Sequence, residues 1–248
     1  MISSYFHVGS GVGDQLFRFI TSRTIAEQIG VSHGMEGVEN CKVLSFMKLP
    51  LFYSPAVYDK KWEEKCIRDE NGVDVRSFDP ESQFLQPNTI IDGCFEDEKY
   101  WGHNLDNIRE WLKVEPLNMD DDVCAIGFRG GEYAAIPDLF LSHEYYLDAI
   151  KIMREKGVTK FEVHTDDTEL AKKFFSYLGI PCVHDIGLNW RSVRYAKHLI
   201  IANSAFYIIP SLIGEAKEII APRYWARRNT KTWARPACYY KDKRITYI

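Results

Sequence analysis

Three short segments in the second half of the chain each place polar residues directly after an apolar, strand-like run. Cys124-Ala125-Ile126-Gly127-Phe128 leads into Arg129, followed by Gly130-Gly131-Glu132-Tyr133. A guanidinium offers a planar fork of donors that matches phosphate oxygens, and glycines let a ligand approach the backbone closely. Taken alone, this pattern is better read as a glycine turn with an arginine in a surface ion pair. His164-Thr165-Asp166-Asp167 follows the next run. A carboxylate there can accept hydrogen bonds from a base ring, such as the N1 and N2 hydrogens of guanine. Paired aspartates can also hold a divalent metal, or Thr165 or Asp166 can simply cap the helix that follows. Asn203-Ser204-Ala205-Phe206 follows a third run, Leu199 to Ala202. A serine at a helix start, with its free backbone N–H groups, makes either an anion site for a diphosphate or an ordinary N-cap. An arginine, a carboxylate and a helix start at three strand ends are more specific together than any one of them.

In the first half, Gly9-Ser10-Gly11-Val12-Gly13 forms a flexible loop, with Asp14 placed to cap the next helix. The loop resembles a dinucleotide fingerprint only superficially. Its third glycine is missing, since position 16 is leucine, and a nicotinamide-dehydrogenase reading is rejected. His7, His103, His143 and His198 show no metal-ligand spacing and read as surface or core residues.

The elements that position these residues follow from periodicity. Tyr5 to Val8 reads as a strand, and a helix runs from Asp14 to about Ile29, stopping at Gly30. Leu16, Phe17, Phe19, Ile20, Ile25, Ala26 and Ile29 surround that helix, as expected of one buried in a layered domain. Residues 31–87 show little periodicity. Ile90 to Phe95 reads as a strand, Asn104 caps a short helix, and Pro116 to Asp122 is the candidate linker. Beyond it come a strand over Val123 to Phe128 and a helix from Ser142 ended by Gly157. A strand with Phe161 and Val163 follows, then a helix with Ala171, Phe174, Phe175 and Leu178. Ile180 to Val183 is a strand, Ser192 to Ala196 a short helix, and Leu199 to Ala202 a strand. Ser204 to Ile213 is a helix, and Glu218 to Ile220 the last strand. Such alternation predicts a parallel, doubly wound sheet whose ligands bind beyond the carboxyl ends of its strands.

The bulk properties set limits. A chain of 248 residues with 46% hydrophobic content can bury a core as one large or two small domains. A net charge of −4 argues against nucleic-acid binding as the main role. Acidic residues crowd the stretch from Asp59 to Asp122. Arg223, Arg227, Arg228, Lys231, Arg235, Lys241, Lys243 and Arg244 make the tail basic, with Asp242 against them. That tail can hold phosphates or touch an anionic membrane as a peripheral contact. Tyr224, Trp225, Trp233 and Tyr239 favour instead a packed or solvated surface segment. Cys41, Cys66, Cys94, Cys124, Cys182 and Cys238 are widely spaced and read as reduced thiols of a cytosolic protein. No signal peptide is visible in Met1 to His7, and with no run approaching about 20 apolar residues no membrane span is expected.

Taken in order, these segments resemble glycosyltransferase family 11, the α-1,2-fucosyltransferases. Gly11-Val12-Gly13-Asp14-Gln15-Leu16-Phe17 is similar to that family's G-x-G-N-Q-[ML]-F motif, with Asp14 for its asparagine. Asp92-Gly93-Cys94-Phe95-Glu96-Asp97-Glu98-Lys99-Tyr100-Trp101, followed by Ile108-Arg109, looks like its G-[YF]-[FW]-Q-[SN]-x-x-Y-F…I-R segment. Phe128 to Tyr133 stands where the family has H-I-R-R-G-D-Y, and His164 to Asp167 where it has F-S-D-D. Lys197 to Phe206 is close to C-K-H-x-I-I-A-N-S-[ST]-F, and Ile219 to Trp225 to V-I-A-P-x-x-W. The departures are Gly127 for the motif histidine, Gly130 for its second arginine, Glu132 for its aspartate, and Ile208-Ile209 for an aromatic pair.

The resemblance implies a GT-B-like α/β architecture of two Rossmann-like domains with parallel sheets, facing across a cleft. Residues 1–117 would form the acceptor-side domain and 118–248 the nucleotide-sugar domain. It implies an inverting, metal-independent transfer of L-fucose from a GDP-fucose donor to a glycan acceptor hydroxyl in α-1,2 linkage, with no cofactor. Arg129 would contact the β-phosphate, Asp166 or Asp167 the guanine, and Asn203 and Ser204, supported by Phe206, the diphosphate. Gly11, Gly13 and Gln15 would line the acceptor-side loop, with Glu132 and Asp14 as the candidate bases. A Golgi enzyme of this kind needs a membrane anchor. The chain therefore reads as a protein of the bacterial cytosol or a viral host's cytosol, or as one trimmed of its anchor. The substitutions at Gly127 and Gly130 leave an alternative: a non-catalytic glycan- or nucleotide-binding protein that keeps the fold.

Overall fold

The computed structural model describes residues 1–52, 57–65, 78–224 and 240–248. Cys66, Trp225, Arg227, Arg228, Lys231, Trp233, Arg235, Cys238 and Tyr239 lie outside the described residues. The chain divides into two units, Met1–Lys113 and Val114–Ile248. Val114 and the stretch expected to link them belong to the second unit. Tyr195 Oη donates to the Val114 carbonyl (3.0 Å), and Arg191 donates to the carbonyls of Glu115 and Pro116 (both 2.9 Å).

The first unit holds β1 (Ile2–Tyr5), α1 (Val12–Gln28), β2 (His33–Glu36), β3 (Lys60–Glu63), β4 (Thr89–Asp92) and α2 (Leu105–Trp111). All strand pairs are parallel, in the order β2-β1-β4-β3. The first strand is Ile2–Tyr5, earlier than expected. Ile2 and the two short side chains Ser3 and Ser4 are its buried residues, and the chain leaves the ladder by His7. The Leu16, Phe17, Phe19, Ile20, Ile25 and Ala26 side chains of α1 are all buried, as the all-round apolar pattern requires.

The second unit holds β5 (Val123–Phe128), α3 (His143–Glu155), β6 (Lys160–Thr165), α4 (Thr168–Phe175) and β7 (Cys182–Val183). It continues with α5 (Ile186–Tyr195), β8 (His198–Ile200), α6 (Ala205–Leu212), β9 (Glu218–Ala221) and β10 (Ile245–Tyr247). The sheet is again parallel, in the order β10-β9-β8-β5-β6-β7. The two parallel-sheet α/β regions of a GT-B-like chain are thus present. β9 is not the last strand: β10 adds to its edge from the C-terminus. Arg244, just before β10, donates to the carbonyls of Ser211, Leu212, Gly214 and Ala216 and pairs with Asp242. A cation at the end of α6 satisfies carbonyls that a helix leaves open there. This part of the basic tail is a packing device. Among the described residues Cys41, Cys124 and Cys182 are free thiols. No described helix is long and apolar enough to cross a membrane.

Candidate functional site

In the second sheet β5 is central, with β6 on one side and β8 on the other. Strand order reverses there, and the carboxyl ends of these strands form the crevice where such sheets bind ligands. Phe128, the last residue of β5, is fully buried. Its ring packs among Phe174 (5.1 Å between centroids), Tyr146 (5.4 Å), Phe175 (5.5 Å) and Phe140 (6.1 Å). This aromatic block fixes the point from which Arg129 emerges.

Arg129 is about one quarter exposed and is not idle. Its Nη1 donates to Asp166 Oδ2, its Nη2 donates to Glu132 Oε1 (2.8 Å), and its guanidinium lies 5.0 Å from the centre of the Tyr133 ring. Asp166 Oδ1 also accepts the Gly130 N–H (2.8 Å). One carboxylate therefore grips both the arginine and the loop that carries it. Glu132, expected as a base, is 73% exposed and is tied to Arg129.

Asp167 does what a helix start requires. It is the N-cap of α4, its Oδ1 accepting the Leu170 N–H (3.0 Å). The glycines after Arg129 have steric reasons here. A Cβ at Gly130 would stand 2.6 Å from Asp167 Cβ, and one at Gly131, whose φ is +42°, would stand 2.5 Å from Asp166 Oδ2. Both carboxylates thus pack against the loop where the resembled motif has a larger residue.

Ser204 is the N-cap residue of α6 and is buried, but its side chain makes no capping bond. Asn203 is buried and donates to the Leu139 carbonyl (2.8 Å). Phe206 stands edge-on to Trp190 (5.8 Å) and Tyr207 (5.2 Å). Tyr207 itself is completely buried and donates to the carbonyls of Phe128 (3.2 Å) and His164 (2.9 Å), joining the ends of β5 and β6. Burial, then the neighbouring Tyr146, pushes its hydroxyl far above the usual tyrosine range, so it remains a donor. Among the described residues no group of three His, Cys, Asp or Glu side chains is placed to hold a metal ion.

The first-unit candidates stand differently from expectation. α1 begins at Val12, so Gly13 and Asp14 are helical and Gly11 is the N-cap residue. Asp14 lies in the first turn rather than capping it. Gln15 is fully buried, donating to the Asn40 carbonyl (2.8 Å) and accepting from the Lys42 N–H (2.9 Å). It anchors the chain after β2 and does not line a loop. Sequence reasoning missed a cluster beside it. His7, just past β1, shares a 2.9 Å hydrogen bond with Asp92 Oδ1 at the end of β4, and Arg18 Nε lies 3.7 Å from the same oxygen. No local signal joins residues 85 positions apart.

No protein-family model matches the chain, and no curated protein does. Crystal structures of fucosyltransferase NodZ from Bradyrhizobium match with a TM-score of 0.48 at 13% identity, over 88% of this chain and 93% of that one. A variant of Arabidopsis thaliana FUT1 in complex with GDP matches with a TM-score of 0.51 at 9% identity, over 90% of this chain and 70% of that one. At that identity the likeness to FUT1 is one of fold: two parallel α/β units of the kind found in a fucosyltransferase.

Proposed function

We propose that this protein is an inverting glycosyltransferase that moves L-fucose from GDP-fucose to a glycan hydroxyl in α-1,2 linkage, without a metal ion or other cofactor. The observation that carries the reading is the gathering of Arg129, Asp167 and the start of α6 at the strand-order reversal of the second sheet. As the bond from C1 to the β-phosphate oxygen breaks, negative charge grows on GDP. Arg129 and the free N–H groups at the start of α6 would stabilise that charge, an effect that costs no reorganisation if the groups are already in place. Glu132, the more exposed partner of Arg129, gives way to the diphosphate. Asp166 stays and orients the guanidinium. Asp167 uses Oδ1 for capping, which leaves Oδ2 for the guanine donors. Guanine, fucose and the linkage rest on the motif resemblance. An acceptor role for the first unit, a cytosolic setting and contact of the basic tail with a membrane surface belong to the same reading.

A second reading, a binding protein without catalysis, is favoured by Glu132 on Arg129 and by the glycines at 127 and 130. The test is GDP release from GDP-fucose with lactose as acceptor, repeated in EDTA. Turnover that survives EDTA is expected. Tight GDP binding without any release of fucose would favour the binding protein.

A further inference from the structure

The first unit holds a cavity of about 140 Å³ between the end of α1 and three short helical turns, Pro80–Phe84, Glu98–Tyr100 and Gly102–Asn104. One water needs only about 10–15 Å³, so a small organic molecule has room there.

One wall is apolar and firmly held. Ile25 and Tyr100 are buried, and the Phe78 ring packs on Tyr100, 4.8 Å between centroids at 57°. Tyr100 Oη accepts the Asp79 N–H (2.8 Å). Burial first, then the charge of Glu64, push its pKa far above the usual tyrosine range, so the ring carries no charge. Asp97 accepts the Phe78 N–H with Oδ2 and the Lys99 N–H with Oδ1, both at 2.9 Å. One carboxylate thus fixes two sides of the cavity and is spent on backbone.

The remaining lining is polar, and much of its hydrogen-bonding capacity is unused. Lys99 Nζ lies 6.0 Å from the centre of the Phe78 ring and has no hydrogen-bond or ion-pair partner among the described residues. Gln28 Nε2 meets His103 Nε2 at 2.6 Å, which leaves Gln28 Oε1 as an acceptor. The Gln83 amide has no partner among the described residues. Aromatic rings suit the C–H face of a sugar ring, amides suit its hydroxyls, and an unpaired ammonium suits a carboxylate. A neutral sugar would leave Lys99 unused, and a bare anion would leave the aromatic wall unused.

We infer that this cavity binds a pyranose sugar that carries a carboxylate, of the uronic acid class. The ring lies against Phe78 and Tyr100, the carboxylate pairs with Lys99, and the hydroxyls meet the amides of Gln28 and Gln83. The site lies wholly within the first unit and uses none of the donor-binding residues, so it stands or falls apart from the donor reading.

The test is titration of the full chain with glucuronate, glucose and acetate, followed by ligand-observed NMR. Glucuronate should bind at least about tenfold more tightly than glucose or acetate, the lower end of what a charge-assisted hydrogen bond supplies. High salt should narrow its advantage over glucose, as screening of an exposed cation requires. Lys99→Ala, at an exposed position, should keep the melting midpoint and bind glucuronate and glucose alike. Phe78→Leu should weaken both sugars. Glucuronate binding no tighter than acetate or glucose, or a preference that survives Lys99→Ala, or sugar binding unchanged by Phe78→Leu, overturns the proposal. A parent protein that binds glucuronate but no GDP overturns the donor reading alone.

Discussion

Tyr207 lies so close to Gly127 that a Cβ at position 127 would stand 2.8 Å from its Cδ1 and Cε1. The glycine that replaces the resembled family's histidine is therefore required by a tyrosine from α6, whose hydroxyl ties two strand ends together. Gly127→Ala should destabilise the fold by about 1–3 kcal/mol, as overpacking does. Urea unfolding measures it. Tyr207→Ala in the same chain removes the clash, so the two losses should not add. Additive losses would show that the contact does not matter.

Arg129 and Asp166 should behave as one unit. Arg129→Ala removes a charge-assisted contact and should weaken GDP about ten- to a hundredfold by calorimetry. Arg129→Lys should recover little of this, because an ammonium lacks the fork. Asp166→Asn should weaken GDP and UDP alike, since Asp166 acts through the arginine and the Gly130 N–H. The double variant should bind no worse than Arg129→Ala. A selective loss for GDP in Asp166→Asn would make it the guanine reader instead.

Asp167 carries two duties with separate readouts. Asp167→Ala should cost about 0.5–2 kcal/mol of stability through the lost cap of α4. It should also narrow the gap between GDP and UDP binding. Asp167→Ser can restore the cap and should leave the gap narrow.

His33 gives the first unit an acid limit. Burial first, and then the charge of Arg23, lower its pKa from the ordinary 6.5 to about 3. The unfolded chain therefore binds a proton that the folded chain refuses between those values. Stability is present in full above about pH 6.5 and falls as pH drops toward 3, by up to about 1.4 kcal/mol per pH unit. His33→Gln should flatten this slope in urea midpoints taken across the range. An unchanged slope would remove His33 as its source.

Much of the second unit was legible in the sequence. Val123 to Phe128 is an unbroken apolar run, and buried central strands read that way. The edges were not. His33–Glu36 and Lys60–Glu63 contain few apolar residues and become strands because β1 and β4 offer them open ladders. α5 starts at Ile186, earlier than the expected Ser192, because the side chain of its N-cap residue Asp185 accepts the Leu188 N–H despite Gly187 in the first turn. The strand-end positions of Arg129, Asp166 and Ser204 followed from alternation alone. Their partners did not: the grip of Asp166 on Arg129 and the meeting of His7 with Asp92 are products of strand order, which no local pattern encodes.

The central claim is that the second unit holds a guanine nucleotide through its diphosphate and its base. Calorimetric titration of the full chain with GDP and with UDP tests it most directly. The two share the diphosphate that Arg129 and the start of α6 would bind, and differ in the donors offered to Asp167. The account predicts that GDP binds more tightly by about 1–3 kcal/mol, the cost of leaving a half-buried carboxylate without its hydrogen bonds. Equal affinity, or a preference for UDP, would contradict it.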